Sequence, residues 1–180
     1  YKDGNENSDL KTISILFGTQ TGNSEIVARE AEKVAKKAGL TPTVLDLSEC
    51  ETQTLISSPR LLIVTSTYGE GEMPDNVIEL WNKCSELDDN FYEKVNYSVL
   101  ALGDTSYEKF CEAGKLWDLH LNEKGGKRVL DCVECDVDFE EPSSIWISEL
   151  GKILGSKDVN LKNEISKEKW NRKQPFSATI

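Results

Sequence analysis

The chain has 180 residues, which is enough for one domain of ordinary size with its own hydrophobic core. It carries 32 acidic against 21 basic side chains, and the net charge of −11 argues against binding to nucleic acid or to an anionic membrane surface. No apolar run approaches the roughly 20 residues needed to cross a bilayer, so we predict no membrane segment in this chain. The acidic balance favours a basic partner, or it serves solubility alone.

Hydrophobic periodicity divides the chain into alternating strands and helices. The first ten residues are polar and are predicted to be a disordered lead-in. Apolar or alternating runs predict five strands, at residues 12–17, 43–47, 61–65, 97–102 and 128–137. Helical spacing predicts four helices, at residues 24–38, 74–87, 111–123 and 143–154, with Ile26, Ile78 and Ile145 among the apolar side chains of their buried faces.

This alternation, with mainly apolar strands, predicts a doubly wound α/β domain at residues 11–155. Its five-stranded parallel sheet is covered by helices on both faces through right-handed crossovers. In such a sheet, ligands bind beyond the carboxyl ends of the strands, where the strand order reverses. Three chemically unusual loops leave carboxyl ends, at residues 19–24, 66–74 and 103–111. We expect them to converge on one site.

The first loop lies directly before a helix and is rich in hydroxyl groups. Unpaired N–H groups and partial positive charge at a helix start stabilise a phosphate. The loop lacks the Lys of a Walker loop and the three glycines of a dinucleotide fingerprint, which leaves a site for one terminal phosphate. An ordinary N-capped helix explains the same residues equally well, so both interpretations stay open. The candidate phosphate ligands are Thr19, Gln20, Thr21, Gly22, Asn23 and Ser24.

The second and third loops each contain a tyrosine, Tyr68 and Tyr107. A single loop tyrosine is most often an ordinary surface aromatic. Two of them at the same end of the sheet, beside a phosphate cradle, favour a site for a flat, phosphorylated heteroaromatic ring that stacks on both faces.

The five cysteines are an odd number, which predicts free thiols in a reducing, cytoplasmic compartment. Cys132 and Cys135 form a Cys-x-x-Cys pair, but their odd separation within a strand points the two side chains to opposite faces. With no second cysteine pair and only His120 as a histidine, a tetrahedral zinc site lacks ligands. We therefore predict structural thiols and no metal site.

Three strings carry a family resemblance: FGTQTGNSE at residues 17–25, TSTYGEGE at 65–72 and ALGDTSYEKFCEAGK at 101–115. They resemble the FMN-binding, flavodoxin-like domain of diflavin reductases, closest to the flavoprotein subunit of assimilatory sulfite reductase. Flavodoxin is itself a known example of the doubly wound fold with sheet order 2-1-3-4-5 and FMN at the switch point. The resemblance therefore implies that sheet order and FMN as cofactor here.

The resemblance also assigns roles to the three loops. It implies that the first loop binds the FMN phosphate, that the other two wrap the isoalloxazine ring between Tyr68 and Tyr107, and that Asp136 borders the site. We expect the Gly69 carbonyl to turn towards flavin N5, because glycine adopts either sign of φ at little cost. The residues implied in ring binding are Ser66, Thr67, Tyr68, Gly69, Leu102, Gly103, Asp104, Thr105, Ser106, Tyr107, Glu108, Lys109, Phe110 and Cys111.

The function implied is electron transfer within an NADPH-dependent oxidoreductase. The domain would accept electrons from an FAD- and NADPH-binding module and pass them singly to a basic metalloprotein or haem protein. The polar residues 156–180 are expected to be a linker and the start of the missing FAD/NADPH domain, so this piece alone should lack NADPH activity. Carboxylates in or beside the loops are expected to form an acidic rim that steers the partner: Glu70, Glu72, Asp104, Glu108 and Asp136.

Two alternatives remain. One is a free-standing flavodoxin that carries electrons between separate proteins. The other is a phospho-receiver domain of the same fold, which needs carboxylates at the ends of the first and third strands. Those positions hold Phe17-Gly18 and Thr65-Ser66, which disfavours the receiver.

Overall fold

A computed structural model of the protein describes residues 10–19, 21–68 and 70–154. The predicted lead-in up to residue 9, the candidate ligands Gln20 and Gly69, and the predicted linker at 156–180 lie outside the described residues. Within the described ranges, no helix has the length and apolar character required to span a bilayer.

The described residues form six strands: β1 (Thr12–Gly18), β2 (Thr41–Asp46), β3 (Arg60–Ser66), β4 (Asn96–Leu102), β5 (Lys127–Arg128) and β6 (Val133–Cys135). They make one parallel sheet in the order β2-β1-β3-β4-β5, and β6 also pairs with β4. The implied order 2-1-3-4-5 is therefore confirmed. From β1 the chain crosses first to β2 on one side and then to β3 on the other, so the strand order reverses between β1 and β3. A doubly wound fold binds its ligand at that point.

The prediction of the fifth strand as one continuous element at 128–137 is wrong, because two short strands take its place. The start of β4 pairs with β5, whereas its end pairs with β6 through Leu100–Leu102 opposite Val133–Cys135. Between the two short strands, the carbonyl of Leu130 accepts a hydrogen bond from the Ser98 hydroxyl at 3.1 Å. The apolar pattern continues through Val129 and Leu130, so periodicity alone did not reveal the break.

In the described part of the chain, four α-helices cover the sheet: α1 (Asn23–Lys37), α2 (Ile78–Cys84), α3 (Glu112–Glu123) and α4 (Glu140–Leu154). Helix α2 is shorter than predicted because the chain from Pro74 first forms a turn, in which the Val77 N–H donates to the Pro74 carbonyl at 2.8 Å. Helix α4 begins three residues earlier than predicted, at Glu140. The four predicted helices are thus present, with altered ends.

The helices lie on both faces, and each face has its own core. Alternate residues of β1 separate to the two sides, with Ile15 and Phe17 in the cluster that contains Trp146 of α4, and Leu16 in the cluster that contains Trp117 of α3. Cys135 belongs to the first cluster and Cys132 packs against the second, so their predicted placement on opposite faces is confirmed.

Three isoleucines predicted to be buried are exposed instead: Ile26 by 56%, Ile78 by 39% and Ile145 by 55%. Each lies beside a residue that is buried, namely Val27, Val77 and Trp146. Adjacent side chains on a helix point about 100° apart, so only one of each pair faces the sheet. A run of two apolar residues does not reveal which one.

Helix α3 reaches the end of β4 through a close approach at Gly114. A Cβ built on Gly114 would lie 2.2 Å from the Cβ of Ala101 and 2.8 Å from its Cα. The missing side chain therefore lets the helix lie directly on the strand. This contact fixes the start of α3 at the carboxyl edge of the sheet, where the predicted loops lie.

Candidate cofactor site

An open cavity of about 440 Å³ lies at the carboxyl ends of the central strands. All three predicted loops contribute to it, as expected from strands whose carboxyl ends share one edge of the sheet. Its volume falls within the range of roughly 300–1,000 Å³ that is usual for small-molecule clefts. It is lined by Thr21, Asn23, Ser66, Thr67, Tyr68, Leu102, Gly103, Asp104, Tyr107, Lys109, Cys111, Asp136, Val137 and Phe139.

The lining differs from the predicted set in two ways. Val137 and Phe139 line the cavity although the sequence analysis did not single them out. They are apolar and follow Asp136 at the end of the last strand, so extending the site past Asp136 would have found them. Several candidates lie in the loops without lining the cavity: Thr19, Gly22, Ser24, Thr105, Ser106, Glu108 and Phe110.

The first loop leaves the start of α1 without a side-chain cap among the described residues. Gly22 occupies the N-cap position with φ of 91°, a conformation that favours glycine. Its N–H donates to the Thr19 hydroxyl oxygen at 2.8 Å. The capping hydroxyl required by the ordinary N-cap interpretation is therefore not seen, and the positive end of the helix is left available to an anion.

Ser24 has a different environment from the one expected of a phosphate ligand. Its side chain is fully buried, and its hydroxyl lies 2.8 Å from the hydroxyl of Ser66 at the end of β3. This contact joins the first loop to the second. Ser24 thus fixes the relative position of two segments that form the cavity.

Tyr68 and Tyr107 are exposed by 47% and 56%, although both line the cavity. Tyr68 is held in a narrow antiparallel turn, because it exchanges backbone hydrogen bonds of 2.9 and 2.8 Å with Glu72. Exposed aromatic rings at a cleft are available for stacking on a flat ligand. The tyrosines therefore have the location that the aromatic-ring hypothesis requires.

Asp136 receives three hydrogen bonds. Its carboxylate accepts the Thr105 hydroxyl at 2.6 Å, the Thr105 N–H at 3.1 Å and the Val137 N–H at 2.8 Å. These donors stabilise the charged form, the Thr105 hydroxyl most, and they hold the pKa of Asp136 below its usual value. The carboxylate is therefore ionised at neutral pH.

The turn that carries Tyr107 is closed by Asp104. The Asp104 carboxylate accepts the N–H of Ser106 at 2.8 Å and its hydroxyl at 2.6 Å. The Asp104 carbonyl accepts the Tyr107 N–H at 3.1 Å. Thr105 and Ser106, which the resemblance places in the loop around the ring, thus donate their hydroxyls to carboxylates of the protein.

The floor of the cavity is formed where α3 begins. Cys111 is fully buried and has φ of 56°, the one positive value at a non-glycine residue among those described. Its thiol lies 3.4 Å from the Ala101 carbonyl and 3.5 Å from the Cys135 carbonyl. Burial raises the pKa of Cys111 to about 12, so it is a neutral thiol. The Thr67 hydroxyl accepts the Ala113 N–H at 3.0 Å and links the second loop to the same helix start.

The predicted free thiols are confirmed for all five cysteines, each of which lies in the described part of the chain. Burial raises the pKa of every one, to about 11 or about 12. Raised pKa values and low exposure are the properties of unreactive, structural cysteines.

The fold and this site define the chain as a member of the flavodoxin family, whose family model matches residues 15–146. It is accordingly an FMN-binding electron-transfer domain. The chain also superimposes on solved flavodoxins. It matches that of Streptococcus pneumoniae with a TM-score of 0.70 at 26% identity, covering 78% of this chain and 95% of the other. It matches a cysteine-to-alanine mutant of the Pseudomonas aeruginosa flavodoxin with a TM-score of 0.70 at 30% identity, covering 81% of this chain and 99% of the other.

The chain also matches part of longer proteins. The chain is 40% identical over 183 residues to the sulfite reductase (NADPH) flavoprotein alpha-component of Shewanella oneidensis, covering 94% of this chain and 30% of that protein. It is 36% identical over 177 residues to the protein of the same name from Bacillus subtilis, covering 94% of this chain and 29% of that protein. The chain therefore spans about 30% of the length of these curated relatives.

Proposed function

We propose that this chain is the FMN domain of an NADPH-dependent flavoprotein reductase. It receives electrons from an FAD- and NADPH-binding module and passes them singly to a haem protein or another metalloprotein. The observation that carries the proposal is the 36–40% identity, along 94% of this chain, to part of two proteins named as NADPH sulfite reductase flavoproteins. We place the FMN domain at residues 11–155, followed by a linker and the start of the next domain at 156–180.

The cavity fits FMN in three respects. The uncapped start of α1, with Thr21 and Asn23 beside it, suits the terminal phosphate. Tyr68 and Tyr107 suit the two faces of the isoalloxazine ring, and Val137 and Phe139 add apolar surface. We propose that the residues lining the cavity contact the cofactor, and that the other predicted residues of the three loops, Ser24 and Thr105 among them, hold those loops in place around it.

FMN, when bound, supplies the redox chemistry, while the protein binds it, orients it and sets its electrostatic environment. Carboxylates beside the ring disfavour further negative charge on the cofactor and so lower its tendency to accept electrons. Asp104 and Asp136 line the cavity, and Glu70, Glu72 and Glu108 are exposed in the same loops. We propose that this acidic rim meets a basic partner surface, and that the five free thiols reflect a cytoplasmic location.

The cofactor assignment is tested by releasing the flavin. The purified chain is denatured, and its supernatant is chromatographed against FMN, FAD and riboflavin standards. We expect FMN in a one-to-one ratio with protein, because the cavity offers one phosphate site. Stoichiometric FAD would overturn the assignment.

The place of the domain in a longer reductase is tested by NADPH oxidation. The 180-residue chain with FMN should show no steady NADPH-dependent reduction of a haem acceptor, whereas the longer parent polypeptide should show it. NADPH-dependent turnover by the 180-residue chain alone would contradict the proposal.

A free-standing electron carrier is the second candidate, because the matched flavodoxin structures are covered over 95–99% of their own length. The two candidates differ in what the parent gene encodes after Ile180. A nucleotide-binding module there supports the reductase, and a stop codon there supports the carrier.

A further inference from the structure

The turn that carries Tyr107 is closed by hydrogen bonds to groups of the protein itself. Its three successive backbone N–H groups, of Thr105, Ser106 and Tyr107, donate to Asp136, to the Asp104 carboxylate and to the Asp104 carbonyl. The turn therefore has a defined shape of its own. Its side-chain link to the last strand of the sheet is the pair of bonds from Thr105 to Asp136.

The segment that supplies Asp136 is itself firmly held. Cys135, the preceding residue, is fully buried and is paired with Leu102 in the sheet. Its carbonyl accepts the Gly103 N–H at 2.9 Å and lies 3.5 Å from the Cys111 thiol. Asp136 thus extends from a fixed point of the core towards an exposed turn.

We propose that Asp136 is a positioning residue that fastens the Tyr107 turn to the end of β6 before the cofactor binds. Its relevance to flavin binding rests on the proposed role of Tyr107 as a stacking residue. A preformed turn loses less conformational entropy when the ring docks, so it increases affinity without contributing a contact. In this role the hydrogen bonds of the carboxylate matter more than its place in an acidic rim.

The chain offers a matched control for the charge. Asp138 lies two residues further along and is exposed, and its carboxylate shares none of the three hydrogen bonds that Asp136 accepts. Replacing either aspartate by alanine removes one negative charge from the same segment. Only Asp136→Ala also removes the bonds to Thr105.

The test measures amide hydrogen exchange by NMR in the 180-residue chain before FMN is added. The reporting amides are those of Ser106 and Tyr107, because they bond to Asp104 and do not lose their own acceptor. Asp136→Ala should speed their exchange about tenfold, the loss expected for charge-assisted bonds, while the domain stays folded and its thermal midpoint falls by only a few degrees. Asp138→Ala should leave their exchange as it is in the wild type.

A second pair of variants changes the other partner. Thr105→Val removes the hydroxyl and should accelerate the same amides, whereas Thr105→Ser keeps the hydroxyl and should retain their protection. The proposal is overturned if Asp136→Ala exchanges like Asp138→Ala, or if Thr105→Val exchanges like Thr105→Ser.

FMN titration then separates this proposal from the cofactor assignment. Asp136→Ala and Thr105→Val should each raise the FMN dissociation constant about fivefold to tenfold, while their two control variants should not. Equal FMN affinity in the wild type and all four variants would show that the bonds between Thr105 and Asp136 do not increase affinity, and would also overturn the proposal. If the wild-type chain binds no FMN, the proposed function fails, and the exchange rates alone decide whether Asp136 positions the turn.

Discussion

Tyr107 shows how a single exposed ring is expected to contribute to cofactor affinity. The side chain is 56% exposed and lines the cavity, so little of its area contributes to the stability of the fold. Tyr107→Ala should weaken FMN binding by about 1–3 kcal/mol through lost stacking and lost burial of the ring. Tyr107→Phe is the control that keeps the aromatic face. Fluorescence titration measures both, and unchanged affinity in the alanine variant would contradict the assignment.

His120 makes the stability of the domain sensitive to acid. It is packed edge-on against Trp81, Trp117 and Tyr92, with ring centroids 5.4, 6.0 and 5.4 Å away, and its Nε2 lies 2.9 Å from the Tyr92 hydroxyl. Burial lowers the pKa of His120 to about 4, from the ordinary value of 6.5. The folded protein therefore keeps this side chain neutral under conditions that protonate it in the unfolded chain.

The sign of the pH effect follows from that difference. As the pH falls from 6.5 towards 4, the unfolded state binds a proton at His120 before the folded state does, and the free energy of unfolding decreases. We expect a loss of about 1–2 kcal/mol across this window, after allowing for partial solvent screening. Urea unfolding at pH 7 and pH 5 measures the slope. His120→Gln should reduce the slope, and equal slopes would refute the assignment.

Side-chain partners within the site could be predicted only in part. The position of Tyr68 and Tyr107 at the cavity was predictable, because both lie in loops that leave the carboxyl edge of the sheet. The burial of Ser24 against Ser66 could not be predicted, because the direction of that side chain depends on the rotation of α1 about its axis; its assignment to the phosphate stays a prediction. The pairing of Thr105 with Asp136 joins residues 31 positions apart, which no local pattern reveals.

At the scale of elements, the contact between α3 and β4 depends on Gly114. A methyl group there would collide with the Cβ and Cα of Ala101, at 2.2 and 2.8 Å, and the strand backbone has little freedom to move away. Gly114→Ala should therefore lower the free energy of unfolding by about 1–3 kcal/mol, in spite of the better helix propensity of alanine. Urea unfolding is the measurement.

Gly151 in α4 is the matched control for that substitution. A Cβ there would lie 2.8 Å from a methyl group of Val34, a partly exposed side chain that can change its rotamer. Gly151→Ala should have a small effect, since the gain in helix propensity offsets this contact. If the two variants destabilise the domain equally, close packing on Ala101 does not explain the role of Gly114.

The order of elements was predictable because each strand and helix bears its own periodic signal, and because parallel crossovers allow few topologies. Convergence of the three loops followed from the same argument. The division of the last strand into β5 and β6 was not predictable, because the apolar pattern runs through it and the Ser98 hydroxyl that bonds to Leu130 between the two comes from the neighbouring strand. Helix α2 was predicted too long because Pro74 also favours a turn.

At the scale of the whole molecule, the net charge of −11 makes association with a basic partner dependent on salt. The second-order rate of electron transfer from the chemically reduced domain to a basic haem protein should fall steeply between low and physiological ionic strength, because the Debye length shortens to about 8 Å. Stopped-flow absorbance measures this rate.

The variants for that experiment should alter charge without altering the Tyr107 turn. Glu72→Gln and Glu108→Gln together should flatten the salt dependence, whereas Glu86→Gln with Glu93→Gln, exposed and outside the cavity lining, is the control that removes the same charge elsewhere. Asp136 is unsuitable here because its carboxylate also bonds to Thr105. A rate that is indifferent to salt would mean that the acidic rim has no role in docking.

Four of the five thiols are buried, Cys132 is partly buried, and the raised pKa of all five slows their reaction with maleimides and other thiol-directed reagents. A single cysteine introduced on the surface would therefore be modified selectively, with no need to remove the native ones. A spin label or fluorophore attached at Glu72→Cys would report distances to an acceptor protein while the interior of the domain stays intact. The buried cysteines thus make this domain suitable for direct measurement of how its electron-transfer complexes assemble.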